Sequence, residues 1–354
     1  MGDRFKKILL ISNDVLHYRE KIYNNFYGEF HNAGYDFQVA SNSFQDVGIE
    51  LHFKHYQLPF SSSGYKKLID DITPACVILF LHLKDRIMLP LIIHCKIKKI
   101  PVIYWNHGIN IKTPNARMKN FIFHRIHDLC DALITYTPDM KKFFSEKNQR
   151  KLFVAYNTLD FSDVDKNALP SREETRKKYG IKQDVILLYA SRVLPYKRAD
   201  LLINLFRGNE EIAVVIVGPG MPDSLIKMVD KYGNLYYLGE KYGADVDAVY
   251  KAADIFSTPG HIGLAINQAL FWGLPVVLLN AVHAPEIYYM KEGETGYIVD
   301  TEEKLKERIL ELAENDELRK HMSDQCRSVY EKEVSIDRMF EGFLQAVDHV
   351  GNRG

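Results

Sequence analysis

The sequence predicts an α/β protein built as two doubly wound lobes with a cleft between them. Three observations carry this. The chain has 354 residues, too long for one ordinary core and suited to two domains. Short apolar, β-rich runs alternate with longer helical patterns, twice over. Several runs are apolar without alternation, as strands of a parallel sheet covered on both faces read.

The first lobe's strands are expected at "KILLIS" (7–12), "DFQVAS" (36–41), "CVILFLHL" (76–83), "VIYWNHG" (102–108), "ALITYT" (132–137) and "LFVAYN" (152–157). Those of the second are "VILLYAS" (185–191), "AVVIVG" (213–218), "LYYLG" (235–239), "IFSTP" (255–259), "PVVLLN" (275–280) and "GYIVD" (296–300). The seam lies in the polar segment 157–172, where Ser171-x-x-Glu174 forms a capping-box pattern before a helix. The expected domains are therefore 1–165 and 166–334. A C-terminal helix follows at 335–354, amphipathic over about 335–350, and packing back on the first lobe is one open placement for it.

Apolar residues make up 46% and charged residues 26%, an ordinary soluble composition. Lys and Arg balance Asp and Glu at 46 each, so no overall field recruits nucleic acid. The first 165 residues nevertheless carry 22 basic against 17 acidic side chains, and the remainder 24 against 29. Cys76, Cys95, Cys130 and Cys326 stand far apart without ligand spacing and read as free thiols of a reducing cytosol. "MGDRFKKILLISND" reads as a first strand, since its apolar run is short and no cleavage site follows. No stretch reaches the ~18 apolar residues of a membrane span.

Chemistry in such folds gathers in loops beyond the carboxyl ends of the strands. After the strand at 185–191, "SRVLPYKRADLL" places Arg192 and Lys197 around Pro195, just before a helix near Arg198. A planar fork and a mobile point charge there suit a phosphate or pyrophosphate. "GPGMP" adds Gly218 and Gly220, read equally well as a turn needing positive φ. "TPGHIGLAINQALFWGLPVV" (258–277) runs a glycine-bearing loop into a short apolar helix, whose first N–H groups have no partner within it. A further helix start is expected near Pro285-Glu286.

Together these pieces, from about 185 to 300, resemble the retaining glycosyltransferases of family 4, which have the GT-B fold of two Rossmann-like lobes. The matching pieces are Ser191, Arg192 and Lys197; Gly218 and Gly220; Leu238-Gly239; "ADIFSTP" (253–259); "GLPVV" (273–277); and "GETGYIVD" (293–300). The resemblance implies a nucleotide-sugar donor held by the second lobe. Arg192 and Lys197 would hold the diphosphate and offset charge on the leaving group. The backbone of Ile262, Gly263 and Leu264 would contact the phosphate or donor sugar. The family's two glutamates, with seven residues between them in this loop and helix, fall on Gly260 and Gln268. Gln268 can still bond ribose hydroxyls; Gly260 has no side chain to offer a sugar, and His261 is the neighbour that could reach instead.

In the first lobe the resemblance is looser. It places His107, in "WNHGIN", opposite the donor sugar, and Tyr18-Arg19 in the acceptor region, where Arg19 could read an anion. No metal is implied: Asp163-Val-Asp165 and Asp245-Val-Asp247 read as solvated faces. No cofactor is implied beyond the nucleotide-diphosphate sugar as donor substrate. Residues 84–125 carry Lys84, Arg86, Lys96, Lys98, Lys99, Lys112, Arg117, Lys119 and Arg125 among apolar residues. That pattern suits either an anionic membrane surface or a buried helix with solvated ends. The expected protein is a cytoplasmic or peripheral glycosyltransferase acting on a glycan or lipid-linked acceptor. A non-catalytic nucleotide-sugar-binding protein and a nucleotide-sugar epimerase of the same fold are the alternatives.

Overall fold

The computed structural model describes residues 5–46, 48–82, 84–109 and 116–352. The chain divides into two compact units, Met1–Asp160 with Ser335–Gly354, and Phe161–Val334. The division thus falls after Asp160 rather than after residue 165, and the C-terminal helix belongs to the first unit.

In the first unit, β1 (Lys6–Val15) leads through α1 (His17–Asn32) to β2 (Tyr35–Phe44) and β3 (Lys54–Gln57). Then follow α2 (Ser62–Ile72), β4 (Cys76–Phe80), α3 (Met88–Ile97), β5 (Val102–Trp105), α4 (Arg117–Leu129), β6 (Ala132–Thr135), α5 (Glu146–Gln149) and β7 (Leu152–Val154). The sheet is parallel, in the order β3-β2-β1-β4-β5-β6-β7. β3 was not expected. Its residues Lys-His-Tyr-Gln carry no apolar run, because an edge strand need bury little.

Successive side chains of β1 enter opposite cores, as the period of two requires. Ile8 and Leu10 meet Tyr23, Phe26 and Phe30 of α1 on one face. Leu9 and Ile11 join the core formed with Tyr65 and Ile69 of α2, Leu91 and Ile92 of α3, and Ile126 of α4 on the other. The C-terminal helix closes the first of these cores. A β-carbon on its Gly342 would stand 2.1 Å from the Val154 carbonyl oxygen, so glycine is what lets the helix lie on β7. Phe343 then packs 4.8 Å from Phe26, centroid to centroid.

The second unit runs α6 (Arg172–Tyr179), β8 (Val185–Ala190), α7 (Ala199–Phe206), β9 (Ile212–Val217), α8 (Asp223–Val229), β10 (Leu235–Tyr237), α9 (Gly243–Ala252) and β11 (Ile255–Phe256). It continues with α10 (Ala265–Trp272), β12 (Val276–Leu279), β13 (Gly296–Val299), α11 (Glu302–Glu314) and α12 (Asp316–Glu333); the first unit's C-terminal helix is α13 (Ile336–Gly351). The capping box at α6 forms: the Ser171 hydroxyl accepts from the Glu174 N–H at 3.2 Å, and Glu174 accepts from the Ser171 N–H at 2.7 Å. The helix expected at Pro285 is only a 3-10 turn, Pro285–Tyr289.

This parallel sheet has the order β10-β9-β8-β11-β12-β13. Strand order therefore reverses beside β1 and β4 in one unit and beside β8 and β11 in the other. Carboxyl-end loops on either side of such a reversal diverge, one to each face, and leave a crevice. In the second unit those loops are 191–198 and 257–264. The donor residues expected from sequence occupy both.

All four cysteines are free and buried. Burial pushes each thiol up to about 12. No helix among the described residues is long and apolar enough to cross a membrane.

Candidate functional site

The loop after β8 is shaped by backbone contact with its neighbour. Gly218 sits at φ +132°, and a β-carbon there would lie 2.1 Å from the Ser191 carbonyl oxygen. Val193 N–H donates to the Pro219 carbonyl at 2.8 Å. Gly218 thus lets the Arg192 loop pack against the end of β9. The loop then turns through a 3-10 segment, Pro195–Lys197.

Two cations result, in different settings. Arg192 is exposed. The Lys197 ammonium is half-buried and donates to the Ser191 hydroxyl. Burial, and then Arg192, lower its pKa to about 8. Among the described residues no carboxylate forms an ion pair with either, whereas Arg198 next door is held by Glu302 at 2.7 Å and Asp200 at 3.7 Å. A lysine whose pKa is lowered beside a second cation, with no carboxylate paired to either among the described residues, forms a site that gains from a dianion.

The loop after β11 is bound to this turn. Gly260 N–H donates to the Lys197 carbonyl at 3.2 Å, and His261 N–H to that of Tyr196 at 3.1 Å. A β-carbon on Gly260 would lie 2.0 Å from the Tyr196 oxygen and 2.9 Å from its carbonyl carbon. Position 260 therefore excludes every side chain, glutamate included, with the Tyr196 turn where it is.

Beyond Gly260, both backbone groups of Ile262 have partners within the chain. Its N–H donates to His283 Nδ1 at 3.3 Å, and its carbonyl accepts from Ala284 N–H at 2.9 Å. His283 Nε2–H in turn donates to the Leu279 carbonyl at 2.9 Å, which fixes the tautomer. Burial lowers the pKa of His283, so it stays a neutral acceptor. Ile262 is spent on holding the loop; Gly263 and Leu264, just before α10, are left to offer backbone at the helix start. His261 is tied through Nδ1–H to the Val282 carbonyl at 2.7 Å. Sequence reasoning passed over His283, whose only signal was its place in the loop after β12.

Gln268, in α10, also has a partner. Its Nε2 donates to Asp247 Oδ1 at 2.9 Å, and Trp272 Nε1 donates to the same oxygen at 3.3 Å. Asp247 is buried at the inner side of α9, not a solvated face as expected. A carboxylate is therefore present beside position 268, supplied by a different element. Beside Gly260 lies a cavity of about 570 Å³ lined by Tyr196, Arg198, Asn280, Asp300 and Glu302, among others.

In the first unit, His107 follows β5 and its ring stacks on Tyr136 at 4.1 Å, 15° from parallel. Burial, and then His82, lower its pKa to about 4, so it is neutral near pH 7. Asn106 sets the loop, its Oδ1 accepting from Gly108 N–H at 2.7 Å and from His127 Nε2–H at 2.9 Å. Arg19 departs from expectation. It is 3% exposed, with its guanidinium 4.6 Å from the Trp105 ring centroid and 5.2 and 5.3 Å from those of Tyr18 and Phe80. It braces the ends of β4, β5 and α1 rather than presenting a charge to an acceptor. Tyr18, its neighbour, is partly exposed.

Comparison with known proteins agrees with this fold. Residues 171–329 match the family Glycosyl transferases group 1. The chain is 22% identical over 346 residues to trehalose synthase of Pyrococcus horikoshii, covering 91% of this chain and 78% of that protein. It is 27% identical over 148 residues to a GDP-mannose-dependent alpha-(1-6)-phosphatidylinositol monomannoside mannosyltransferase of Mycobacterium tuberculosis, 37% of this chain and 38% of that one. The structure of Anabaena HepE in complex with UDP superposes with a TM-score of 0.76 at 12% identity, covering 97% of this chain and 100% of HepE. The fold is that of GT-B glycosyltransferases, and residues 171–329, within the second unit, are similar to the group 1 glycosyltransferases.

Proposed function

We propose that the protein is a retaining, metal-independent glycosyltransferase that moves a hexose-type sugar from a nucleoside diphosphate to a glycan or lipid-linked acceptor. The observation that carries this is the pair Arg192 and Lys197, without a carboxylate partner among the described residues, at the strand-order reversal beside the start of α10. A diphosphate there would meet two cations and the positive end of a helix. These groups act most strongly on the charge that grows as the bond from the anomeric carbon to the diphosphate oxygen breaks. The acceptor oxygen would bond to that carbon on the same face, and its proton would pass to the departing diphosphate oxygen.

The remaining donor residues have graded parts. Gly263 and Leu264 offer backbone, His261 a side chain, and Gln268 with Asp247 a hydrogen-bonding pair for the ribose. Neutral His107 could donate to or accept from a sugar hydroxyl. That HepE is solved with UDP, and separately with UDP-glucose, supports looking first at uridine donors. A cytoplasmic role in surface polysaccharide or glycoconjugate synthesis is the setting proposed.

Gly260 favours a second reading, a nucleotide-sugar-binding protein that does not catalyse transfer, because no acid can stand there. The deciding experiment incubates the protein with UDP- and GDP-sugars, with and without a chelator, and measures free nucleoside diphosphate and the anomer formed. Chelator-resistant release with retained configuration supports transfer. Tight donor binding with no release selects the binding reading.

A further inference from the structure

Six of the ten large apolar side chains that stand exposed among the described residues lie on two helices of the first unit. Leu89, Ile93 and Ile97 are spaced by four along α3 and share one face. Met118, Phe121 and Ile122 crowd the first turns of α4. Their exposure runs from 45% at Ile122 to 74% at Ile97 and Met118. Isolated exposed hydrophobes need no explanation, but a concentration on neighbouring elements does.

The two helices are neighbours. They link the adjacent strands β4, β5 and β6, and Leu91, Ile92 and Ile126 enter the same core. Lys96 of α3 reaches Asp131, just beyond α4, at 3.8 Å. Right-handed crossovers over consecutive parallel strands set such helices side by side on one face of the sheet.

Charge points to what covers this face. From Arg86 to His127 the chain carries eight Lys and Arg and no Asp or Glu. Arg86, Lys96, Lys98, Lys99, Arg117, Lys119 and Arg125 are all exposed; Lys112, in the same run, lies outside the described residues. Lys98 is held by Asp70 at 2.9 Å and Arg125 lies 3.9 Å from Asp128. For Arg86, Arg117 and Lys119 no ion pair is seen among the described residues. Apolar side chains ringed by cations suit a surface that is greasy below and negative at its rim. A second copy of this face would set cation against cation.

We propose that the exposed face of α3 and α4 docks on an anionic lipid bilayer, with Ile93, Ile97, Met118 and Phe121 entering the acyl boundary and Arg86, Arg117 and Lys119 at the headgroups. This does not depend on the sugar-transfer reading. Membrane docking of this face would also favour a lipid-linked acceptor over a free glycan.

The test is flotation of the full-length protein with vesicles of phosphatidylcholine alone or with one third phosphatidylglycerol. Docking predicts recovery with the anionic vesicles, falling steeply as salt rises, and little with the neutral ones. The Ile97→Glu/Phe121→Glu variant should bind the anionic vesicles at least about tenfold more weakly. Arg117→Gln/Lys119→Gln should lower binding mainly at low salt. All these positions are exposed, so an unchanged melting curve would show the variants folded. Absence of flotation at low salt, or flotation unaffected by Ile97→Glu/Phe121→Glu, would overturn the proposal. Dimerisation abolished by that variant, without vesicle binding, would reassign the face to a second copy and overturn it equally.

Discussion

A β-carbon on Gly260 would stand 2.0 Å from the carbonyl oxygen of Tyr196, well inside van der Waals contact. The absence of an acid at this position is therefore coupled to the turn that presents Lys197. Restoring glutamate by one substitution cannot restore the family's pattern. Gly260→Ala is expected to lose about 2 kcal/mol of stability through overpacking, and Gly260→Glu at least as much. Urea unfolding of the two variants checks this. A Gly260→Glu protein of undiminished stability would show that the turn moves freely.

Lys197 gives the donor site a pH dependence. With a free-state pKa of about 8, the ammonium is mostly charged below pH 8 and loses its proton above. A bound diphosphate raises that pKa, so affinity is full below pH 8 and declines above it, until the bound form also titrates. Isothermal titration of the preferred nucleoside diphosphate from pH 7 to 9.5 should show affinity falling several-fold. Lys197→Gln should bind more weakly throughout and lack the decline.

The strands of both lobes could be read in the sequence because buried parallel strands are unbroken apolar runs. "KILLIS" and "VILLYAS" lie within β1 and β8, or one residue beyond. β3 could not be read, since Lys54–Gln57 has no such run. Arg192 and Lys197 stand where the motif put them, as two cations before a helix. The fates of Arg19, Ile262 and Asp247 were hidden for another reason. Each depends on partners distant in sequence: Trp105 and Phe80 for Arg19, His283 for Ile262, and Gln268 with Trp272 for Asp247. Local patterning shows that a loop is polar but not which of its groups are already spent.

Arg19 is predicted to act through structure. Arg19→Ala removes a buried cation from its aromatic box and leaves a void, costing about 3 kcal/mol. Thermal unfolding should show the loss, while nucleotide affinity of the folded protein stays within about twofold. Weakened acceptor use with unchanged stability would return Arg19 to the acceptor site.

His127 predicts acid sensitivity. Its ring is buried, stacks on Phe144 at 4.9 Å and donates to Asn106. Burial, and then His124, lower its pKa to about 3. The unfolded chain binds this proton near pH 6.5 and the folded chain does not, so stability falls as pH drops from about 6.5 towards 3. Melting temperatures across that range should decline, and less steeply in His127→Gln, which keeps a donor but cannot titrate.

The central claim is that the second unit holds a nucleoside diphosphate on Arg192, Lys197 and the start of α10. The most direct measurement is a thermal-shift panel with UDP, GDP, ADP and CMP, alone and as their common sugars, on the wild type and on Arg192→Ala. A clear rise is expected with one nucleoside diphosphate, equivalent to ~2.7 kcal/mol at a hundredfold excess over the dissociation constant, and its loss in Arg192→Ala. No rise with any ligand, or an equal rise in Arg192→Ala, would contradict it.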